Sequence, residues 1–383
     1  MNKLKKYALS SLYDMASGIV FGGGGVRGSY HIGVYKALME MSRDPCVVCG
    51  TSIGAINGAI IAQGDFDILE NLWQNIKIDD ILKISECRKG NKNLFCFNCI
   101  PEFFKQISRK KGIDSTPLRK LILKYVNERK LKESPVDFAL VTYSVTDKKM
   151  VVKYKNQIPD GQITDYLMAS AAFPGFESVK IGRKKFVDGG VVDNIPLSVV
   201  AKYGVQDIIV VDVGGVGIVR NADISGKNVI TIRSEKPVVG IMEFDTKQIR
   251  NNIQLGYLDA KRAYGKVVGD IYYINTDDYY NTRGFYSGEL ISGVEKAARI
   301  FEVDILREYT VEELVLAVRY EFKKMKKTDN PLEIIKNMSE KEVISNIAYA
   351  MLMKKTEILA NKAVREILGK WYDAASAIAY FCK

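Results

Sequence analysis

Histidine is the scarcest functional residue in this chain of 383 amino acids, which contains only His31. A zinc site built from several histidines is therefore excluded, and a Ser-His-Asp triad could use only that one residue. Cysteine is scarce as well, because six cysteines in a chain of this length are too few for a disulfide scaffold. We expect the thiols to be reduced.

Long apolar runs are also missing, since no window approaches about 18 uninterrupted apolar residues, so we predict no membrane-spanning helix. The lysines of residues 3–6 resemble the charged start of a signal peptide, but Ser10, Ser11 and Asp14 interrupt the apolar stretch that should follow. We therefore expect a cytoplasmic protein that can associate with membranes peripherally.

The charge is unbalanced, with 56 Lys and Arg against 45 Asp and Glu, a net charge of +11. This excess favours phosphate-bearing partners such as nucleic acid or an anionic membrane. It is concentrated in residues 77–132, which contain 15 basic and 6 acidic residues. Phenylalanines lie among these cations, so we predict that this basic insert faces an anionic membrane. The alternative is a solvated helical face with its aromatic rings in the core. We expect no nucleic-acid partner, because no reader motif accompanies the charge.

Strand and helix patterns alternate over most of the chain. Apolar runs at 19–21, 46–49, 138–143 and 207–213 predict buried strands, and helical spacing follows the first two of them. Alternation of this kind predicts an α/β fold with a mostly parallel central sheet covered on both faces. We predict an N-terminal segment at 1–17, an α/β domain at 18–287 that includes the insert, and a helical extension at 288–383.

The C-terminal extension carries no strand pattern after about residue 288. Two capping boxes, Thr310 with Glu313 and Ser339 with Glu342, predict helix starts. Apolar stripes follow both boxes, and we expect them to pack on the α/β domain. The alternative is an interface with a second copy of the chain or with another partner.

A candidate nucleophile lies where the second predicted strand meets a helix. Residues 50–54 read Gly-Thr-Ser-Ile-Gly, which fits the pattern G-x-S-x-G in the strand-to-helix context that gives this pattern its meaning. The sharp turn projects the Ser52 hydroxyl outward, and the helix N-terminus offers amides to a developing oxyanion. The alternative is a glycine-rich turn in which Ser52 only caps the helix.

A second glycine-rich loop ends the first strand, at residues 22–28. Consecutive amides from Gly23, Gly24 and Gly25 can point into one cavity, as in an oxyanion loop. A nucleotide phosphate loop is disfavoured, because the segment lacks the G-K-[ST] ending and the dinucleotide fingerprint. Arg27 could bind a substrate phosphate or could pair within the fold, and the structural role is favoured.

A serine nucleophile needs a base within hydrogen-bond reach. His31 lies in the helix after the glycine loop, where we expect it to pack rather than to reach Ser52. Asp188 ends a predicted strand before Gly189 and Gly190, whose small size lets another backbone approach closely. Asp188 is thus the candidate base, with Asp193 as the competing acid.

Cysteine spacing gives no strong metal site. Cys46 and Cys49 lie three apart in a predicted strand, where they should face opposite sides. Cys87, Cys96 and Cys99 offer three thiolates but no evident fourth ligand, so a zinc site there is disfavoured. We predict no metal ion.

Together these motifs resemble the patatin-like phospholipases, whose hallmarks are a G-G-G-x-R-G loop, a G-x-S-x-G elbow and a D-G-G motif. All three occur here in family order, at 23–28, 50–54 and 188–190, and segments 112–119 and 170–174 also resemble the family. The resemblance covers roughly residues 18–275. It implies a three-layer α/β/α fold and a Ser-Asp dyad that needs no histidine.

By this resemblance Ser52 is the acyl-accepting nucleophile and Asp188 is the base. Gly23, Gly24 and Gly25, with the Ile53 N–H, supply the oxyanion amides, and Arg27 matches the family arginine. His31 matches a histidine without a catalytic role.

The resemblance predicts a hydrolase that cleaves acyl esters of phospholipids or lysophospholipids without a cofactor. An acyltransferase with the same nucleophile and a partner- or nucleotide-regulated lipid-binding module are the alternatives. A homo-oligomer formed through the helical extension is a further expectation.

Overall fold

The computed structural model describes residues 17–82, 113–236, 238, 240–325, 339–352 and 369–382. The chain divides into two compact units, Met1–Ala263 and Tyr264–Lys383. The sequence predicted the boundary at 287/288. The division comes earlier because the strand at 273–275 pairs on one side with a strand at 267–268 and on the other with a strand at 308–309.

The described part of the first unit contains eight strands that form one sheet. They are β1 (Ser17–Phe21), β2 (Pro45–Thr51), β3 (Asp137–Ser144), β4 (Lys149–Tyr154), β5 (Val179–Ile181), β6 (Lys184–Asp188), β7 (Asp207–Asp212) and β8 (Asn228–Arg233). Strands β1, β2, β3, β7 and β8 run parallel to one another, whereas β4 and β6 pair antiparallel with β3, and β5 pairs antiparallel with β6. The predicted α/β class with a mostly parallel central sheet is confirmed.

Eight helices belong to the described part of this unit. They are α1 (Ser29–Glu40), α2 (Ile53–Ala62), α3 (Phe66–Asn75), α4 (Thr116–Tyr125), α5 (Glu128–Glu133), α6 (Ile163–Ser170), α7 (Leu197–Ala201) and α8 (Thr246–Ala263). Helices cover both faces of the sheet. Val199 and Val200 of α7 pack in one cluster with Val20 and Val47, whereas Gly58 of α2 packs on the opposite face, against Val48 and Phe138.

The two cysteines of β2 correct one expectation. A register irregularity between β1 and β2 lies at Ser17/Gly18, which pair with Pro45 and Val47 and leave Cys46 unpaired. Strict alternation is broken there, and Cys46 packs against the same apolar cluster that contains Cys49. Burial raises the pKa of the Cys46 thiol to about 11 and raises that of Cys49 further, so both remain protonated.

The second unit has a core of its own. Its helices are α9 (Thr276–Thr282), α10 (Gly288–Ile300), α11 (Val311–Lys324), α12 (Glu340–Leu352) and α13 (Lys370–Phe381). A small sheet orders its strands as β11 (Glu308–Tyr309), β10 (Tyr273–Asn275) and β9 (Val267–Val268). Strand β11 contradicts the prediction that no strand follows residue 288.

The apolar stripes of the second unit are covered inside it. Val311, Leu314 and Phe322 of α11 and Ile344 and Ile347 of α12 are buried in a single cluster. The stripes therefore pack within the second unit, in a cluster that includes Tyr272 and Ile274, two residues that the sequence assigned to the α/β domain. These two stripes are also covered without a second copy of the chain.

Candidate active site

Ser52 occupies a strained turn between β2 and α2. Its φ of 57° and ψ of −126° lie in a region that residues with a side chain rarely adopt. The glycines on either side are required by close backbone approach. A Cβ on Gly50 would lie 2.3 Å from the Gly54 carbonyl oxygen, and a Cβ on Gly54 would lie 2.3 Å from the Phe21 carbonyl oxygen. The G-x-S-x-G pattern therefore encodes this turn.

The register of the sheet brings Asp188 to Ser52. On β3, Val141 pairs with Thr51 at the end of β2, and the next residue, Thr142, pairs with Asp188 at the end of β6. Strand β4 occupies the other side of β3 at these positions. The ends of β2 and β6 thus meet head to head beside β3, which places Asp188 next to the Ser52 turn.

The Asp188 carboxyl is buried, with 3% of the residue exposed. One oxygen, Oδ1, accepts a hydrogen bond of 2.7 Å from the Gly190 N–H. Burial raises the pKa of Asp188 to about 6, against the opposing effects of the Ser52 hydroxyl and the Gly190 amide. The Ser52 hydroxyl is thus close enough to affect the carboxyl, yet no hydrogen bond of ordinary geometry to Oδ2 is formed within the described residues. Such contacts often tighten only when substrate binds.

The glycine loop after β1 offers fewer free amides than the sequence predicted. The Gly23 N–H donates to the Asn194 carbonyl at 3.2 Å, so it is already engaged. The N–H groups of Gly24, Gly25 and Ile53 have no backbone acceptor among the described residues. All three of these residues line the cavity that contains Ser52. They can therefore donate to an oxygen held beside the Ser52 hydroxyl.

Two supporting side chains received no role from the sequence. Asn194 holds both sides of Gly23: its carbonyl accepts from the Gly23 N–H, and its Nδ2 donates to the Gly23 carbonyl at 3.2 Å. The buried Ser170 hydroxyl accepts from the Ser52 N–H at 3.0 Å and donates to the Val141 carbonyl at 2.7 Å. The only sequence signal was position, because Asn194 follows the D-G-G motif closely and Ser170 begins a family-like segment.

Ser52 and Asp188 lie in the wall of one predominantly apolar cavity. Its apolar lining comes from helices and loops on several sides: Val26, Ile53, Ile56, Trp73, Ile76, Ile81, Leu118, Ala171, Phe173, Phe176, Val216, Ile241, Met242 and Phe244. Such a lining suits a hydrocarbon chain, and Ser52, Asp188 and Asn194 are the polar side chains that face it.

His31 is fully buried and lies outside this cavity lining. Burial lowers its pKa to about 3, so the imidazole is neutral at physiological pH. Its Nδ1 lies 3.2 Å from Asn57 Nδ2, and its ring packs against Phe21 with 4.8 Å between ring centroids. These contacts give His31 a packing role.

Arg27 and Asp193 are also absent from the residues that line the cavity. The Arg27 guanidinium donates to the Gly214 carbonyl and so ties the glycine loop to the loop after β7. Burial raises the pKa of Asp193 to about 6, and its carbonyl accepts from the Thr51 hydroxyl at 2.9 Å. The structure therefore brings Asp188, rather than Asp193, together with Ser52.

No group of three or more metal-ligating side chains is found within the described residues. Cys87, Cys96 and Cys99 lie outside them, as does most of the basic insert. No helix in the described part of the chain is long and apolar enough to cross a membrane.

Comparison with known proteins identifies the segment that contains this site. A family model described as patatin-like phospholipase matches residues 19–201. These residues belong to the patatin-like phospholipase family. They contain the glycine loop, the Ser52 turn and the Asp188 motif, which contribute to the cavity lining.

Curated relatives match about half of the chain. Patatin-like phospholipase domain-containing protein 7 of Rattus norvegicus is 26% identical over 203 residues, which are 52% of this chain and 14% of the relative. Lysophospholipase NTE1 of Mycosarcoma maydis is 26% identical over 206 residues, or 54% of this chain and 10% of the relative. The chain thus matches only a small part of the length of these relatives.

A comparison with solved structures matches VipD from Legionella pneumophila, with a TM-score of 0.44, 14% identity and coverage of 96% of this chain and 90% of that chain. The type III effector ExoU gives a TM-score of 0.35 at 12% identity, covering 94% of this chain and 78% of that chain.

Proposed function

We propose that this protein hydrolyses carboxylic esters of membrane lipids, with Ser52 as nucleophile and Asp188 as base. The observation that carries the proposal is the meeting of these two residues in one apolar cavity. A fatty acyl chain fits such a lining, and the ester carbonyl would lie at the polar end, beside Ser52. The patatin-like family assignment and the relative named a lysophospholipase support the same substrate class.

The first half-reaction forms an acyl-enzyme. Asp188 accepts the proton of the Ser52 hydroxyl while Oγ attacks the ester carbonyl. The carbonyl oxygen becomes negatively charged and accepts hydrogen bonds from the N–H groups of Gly24, Gly25 and Ile53. When the tetrahedral intermediate collapses, the ester bond breaks and protonated Asp188 returns its proton to the departing lipid alcohol.

The second half-reaction frees the fatty acid. Asp188 accepts a proton from water, and the resulting hydroxide attacks the acyl carbonyl. The bond to Ser52 Oγ then breaks, and Asp188 returns its proton to the serine. A pKa of about 6 suits both duties, because the carboxyl is ionised at neutral pH yet basic enough to hold a proton briefly.

A fluorophosphonate probe and a lipid panel test the proposal together. We expect the probe to label the full chain at Ser52, located by peptide mass spectrometry, and Ser52→Ala to remain unlabelled. With a panel of phospholipids and lysophospholipids, the wild type should release free fatty acid and the variant should not. An absence of labelling and of fatty-acid release would refute the proposed enzyme and favour a lipid-binding module.

Acyl transfer would use the same acyl-enzyme with another acceptor in place of water. Added alcohols or thiols distinguish the reactions, because a transferase forms new esters or thioesters at the expense of fatty acid. We expect free fatty acid to remain the main product.

A further inference from the structure

Two hairpins project beyond the carboxyl ends of the parallel strands, on the side of the sheet where Ser52 lies. Ser144, the last residue of β3, pairs with Phe186, so Lys184 and Lys185 continue past the end of β3. Their neighbours are the residues of the β3–β4 turn, since the Val145 N–H donates to the Lys185 carbonyl at 2.8 Å. The β5–β6 hairpin and the β3–β4 turn therefore stand together at this edge.

This edge is strongly basic. Residues 145–149 and 177–185 contain six basic and two acidic residues: Lys148, Lys149, Lys180, Arg183, Lys184 and Lys185 against Asp147 and Glu177. All six cations are exposed. Lys184 pairs with Asp147 at 2.8 Å, whereas Lys180, Arg183 and Lys185 form no ion pair within the described residues. Lys148 and Lys149 form none there either, so five cations are available to an external anion.

Two of these cations repel each other. Lys180 and Lys185 are direct register partners across the antiparallel β5–β6 pair, so their side chains lie on the same face of the hairpin. Like charges in directly opposed positions destabilise a hairpin. An anionic surface placed against this face would relieve the repulsion.

Exposed aliphatic side chains lie on the same edge, in the loop after β7. Val216, Ile218 and Val219 are 67%, 56% and 58% exposed. The loop is held in place by its backbone, because the Asn194 N–H donates to the Ile218 carbonyl at 2.6 Å and the Ile218 N–H donates to the Gly190 carbonyl at 2.9 Å.

The aliphatic loop is continuous with the cavity. Val216 both lines the cavity and is exposed, so this side chain connects the cavity wall to the outer surface. Arg220 follows directly in the chain, and its guanidinium lies 3.9 Å from Met150 Sδ on β4. The loop therefore lies beside the basic β3–β4 hairpin.

We propose that this edge, formed by residues 145–149, 177–185 and 216–219, docks on an anionic lipid bilayer. The cations would contact lipid phosphates while Ile218 and Val219 enter the acyl region beside the cavity opening. The proposal extends the proposed function, since it describes how a lipid ester reaches Ser52. It assigns the docking surface to described residues of the α/β unit rather than to the basic insert alone.

A bilayer fits this surface better than a protein or a nucleic acid. Exposed aliphatic side chains with a rim of lysine and arginine match the layering of headgroup and hydrocarbon in a membrane. Single-stranded nucleic acid is typically bound on aromatic stacking platforms, whereas the exposed apolar residues of this loop are all aliphatic.

Vesicle binding tests the proposal with matched variants. Binding is measured in a Ser52→Ala background, so that hydrolysis does not alter the vesicles, with phosphatidylcholine alone or mixed with phosphatidylglycerol. The charge variant is Lys180→Ser, Arg183→Ser, Lys185→Ser. Its control is Arg43→Ser, Arg129→Ser, Lys202→Ser, which removes the same number of positive charges. These three residues are exposed and precede β2, β3 and β7, at the opposite edge of the sheet.

The aliphatic contribution has its own pair of variants. Ile218→Ser with Val219→Ser removes the exposed loop side chains, and Ile68→Ser with Ile224→Ser removes two exposed isoleucines away from the cavity lining. Val219→Trp is a gain-of-function variant, because tryptophan prefers the membrane interface.

We expect tighter binding to the mixed vesicles and weakening by salt. The charge variant should lose on the order of 100-fold in partitioning at low salt, and the loop variant about tenfold. Both controls should stay within about twofold of the parent, as expected for charges and side chains that do not reach the bilayer. Val219→Trp should bind more tightly and should shift its fluorescence to the blue when vesicles are added.

Failures of docking and of the proposed enzyme are distinguishable. With Ser52 restored, hydrolysis of a short-chain ester in free solution and fluorophosphonate labelling should be unchanged in the charge and loop variants. If those variants bind vesicles as their controls do, the docking proposal is wrong even when the enzyme is active. If the loop variant and Val219→Trp leave binding unchanged while the charge variant weakens it, the surface is a general polyanion site, and docking into a bilayer is again refuted. If the wild type never labels at Ser52 while the charge and loop variants lose vesicle binding, the proposed enzyme is refuted and the docking surface is supported.

Discussion

Groups at the amino ends of the parallel strands and groups at the carboxyl ends differ in how fully they are paired. At the amino ends of the parallel strands, buried and charged groups have partners: the buried Lys155 ammonium donates to the Ser134 and Val136 carbonyls at 2.6 and 2.8 Å, and Lys130 pairs with Asp65 at 2.8 Å. At the carboxyl ends, Ser52 has a positive φ and the Asp188 carboxyl is buried without a cation.

This difference indicates that groups at the carboxyl ends of the strands lower the stability of the fold. A buried carboxylate with a raised pKa and a strained backbone each cost free energy of folding, and such costs are typical of functional sites. The amino edge contributes stability through satisfied contacts, whereas the carboxyl edge holds groups in states that the fold alone would not favour. Substitutions at the two edges should therefore have opposite signatures in activity and stability.

The largest expected effect is loss of catalysis at the carboxyl edge. Ser52→Ala and Asp188→Asn should each lower lipid-ester turnover by on the order of 10⁴-fold or more, because nucleophile and base act as one unit. The double variant should be no worse than either single variant. Circular dichroism should show an unchanged fold. Substantial turnover in either variant, or losses that multiply in the double variant, would contradict the dyad.

The next effect concerns the support of the glycine loop. Asn194→Ala removes the Nδ2 contact to the Gly23 carbonyl, which fixes the peptide that carries the Gly24 N–H. We expect kcat to fall by about 10- to 100-fold with a smaller change in KM, because an oxyanion donor would be misdirected. Asn252→Ala is the matched control, since this buried asparagine contacts the Ser29 hydroxyl and does not line the cavity. Equal losses in both variants would indicate a merely structural role for Asn194.

A substitution at His31 should change the stability of the protein but not its catalytic turnover. His31→Ala removes a fully buried ring, so we expect a loss of about 2–4 kcal/mol in the free energy of unfolding, as for other large-to-small core substitutions. Turnover per folded molecule should remain near that of the wild type. The two quantities are separated by measuring kcat well below the melting temperature. A collapse of kcat at unchanged stability would revive a histidine-assisted mechanism.

How much of this could be read from the sequence depends on the range of the interactions. The strand-to-helix turn at Ser52 is local, so glycine spacing predicted it. The small size of Gly189 predicted a close approach but not its partner, Val141, which is distant in the chain. The engagement of the Gly23 amide by Asn194 joins residues far apart in the chain, and no local pattern encodes it. Strand β11 has only two residues, Glu308 and Tyr309, and exists because β10 offers it a partner. Short strands of this kind have no periodicity to detect.

Burial of the Asp188 carboxyl should make the free energy of unfolding depend on pH. Its folded pKa of about 6 lies above the ordinary value of 3.8, so the native state binds the extra proton between these values and stability falls as the pH rises through them. Asp188→Asn should therefore be more stable than the wild type by about 2–3 kcal/mol at pH 8 and nearly equal at pH 4, by denaturant unfolding. In the wild type, kcat/KM should rise as the pH increases through about 6.

Asp147 is the matched control for this pH dependence, because the pKa of its carboxyl is shifted in the opposite direction. The hydrogen bond from Lys184 lowers the pKa of its carboxyl, so the stability it contributes is present above pH 4 and is lost on acidification. Asp147→Asn should therefore be no more stable than the wild type at pH 8. Equal gains in both variants would show that removal of any carboxylate, rather than burial of Asp188, explains the result.

The smallest effect isolates the strain at Ser52. A residue with a Cβ is strained at φ of 57° and ψ of −126°, whereas glycine adopts this region freely. Ser52→Gly and Ser52→Ala both remove the nucleophile, so they should be equally inactive. Ser52→Gly should nevertheless exceed Ser52→Ala in stability by about 1 kcal/mol, because relief of strain outweighs the larger entropy of glycine in the unfolded chain. The same exchange at Ala62, in the last turn of α2, should have the opposite sign, since glycine destabilises a helix with ordinary dihedral angles. If Ser52→Gly is the less stable of the pair at position 52, the turn is not strained, and the contrast between the two edges rests on the buried Asp188 carboxyl alone.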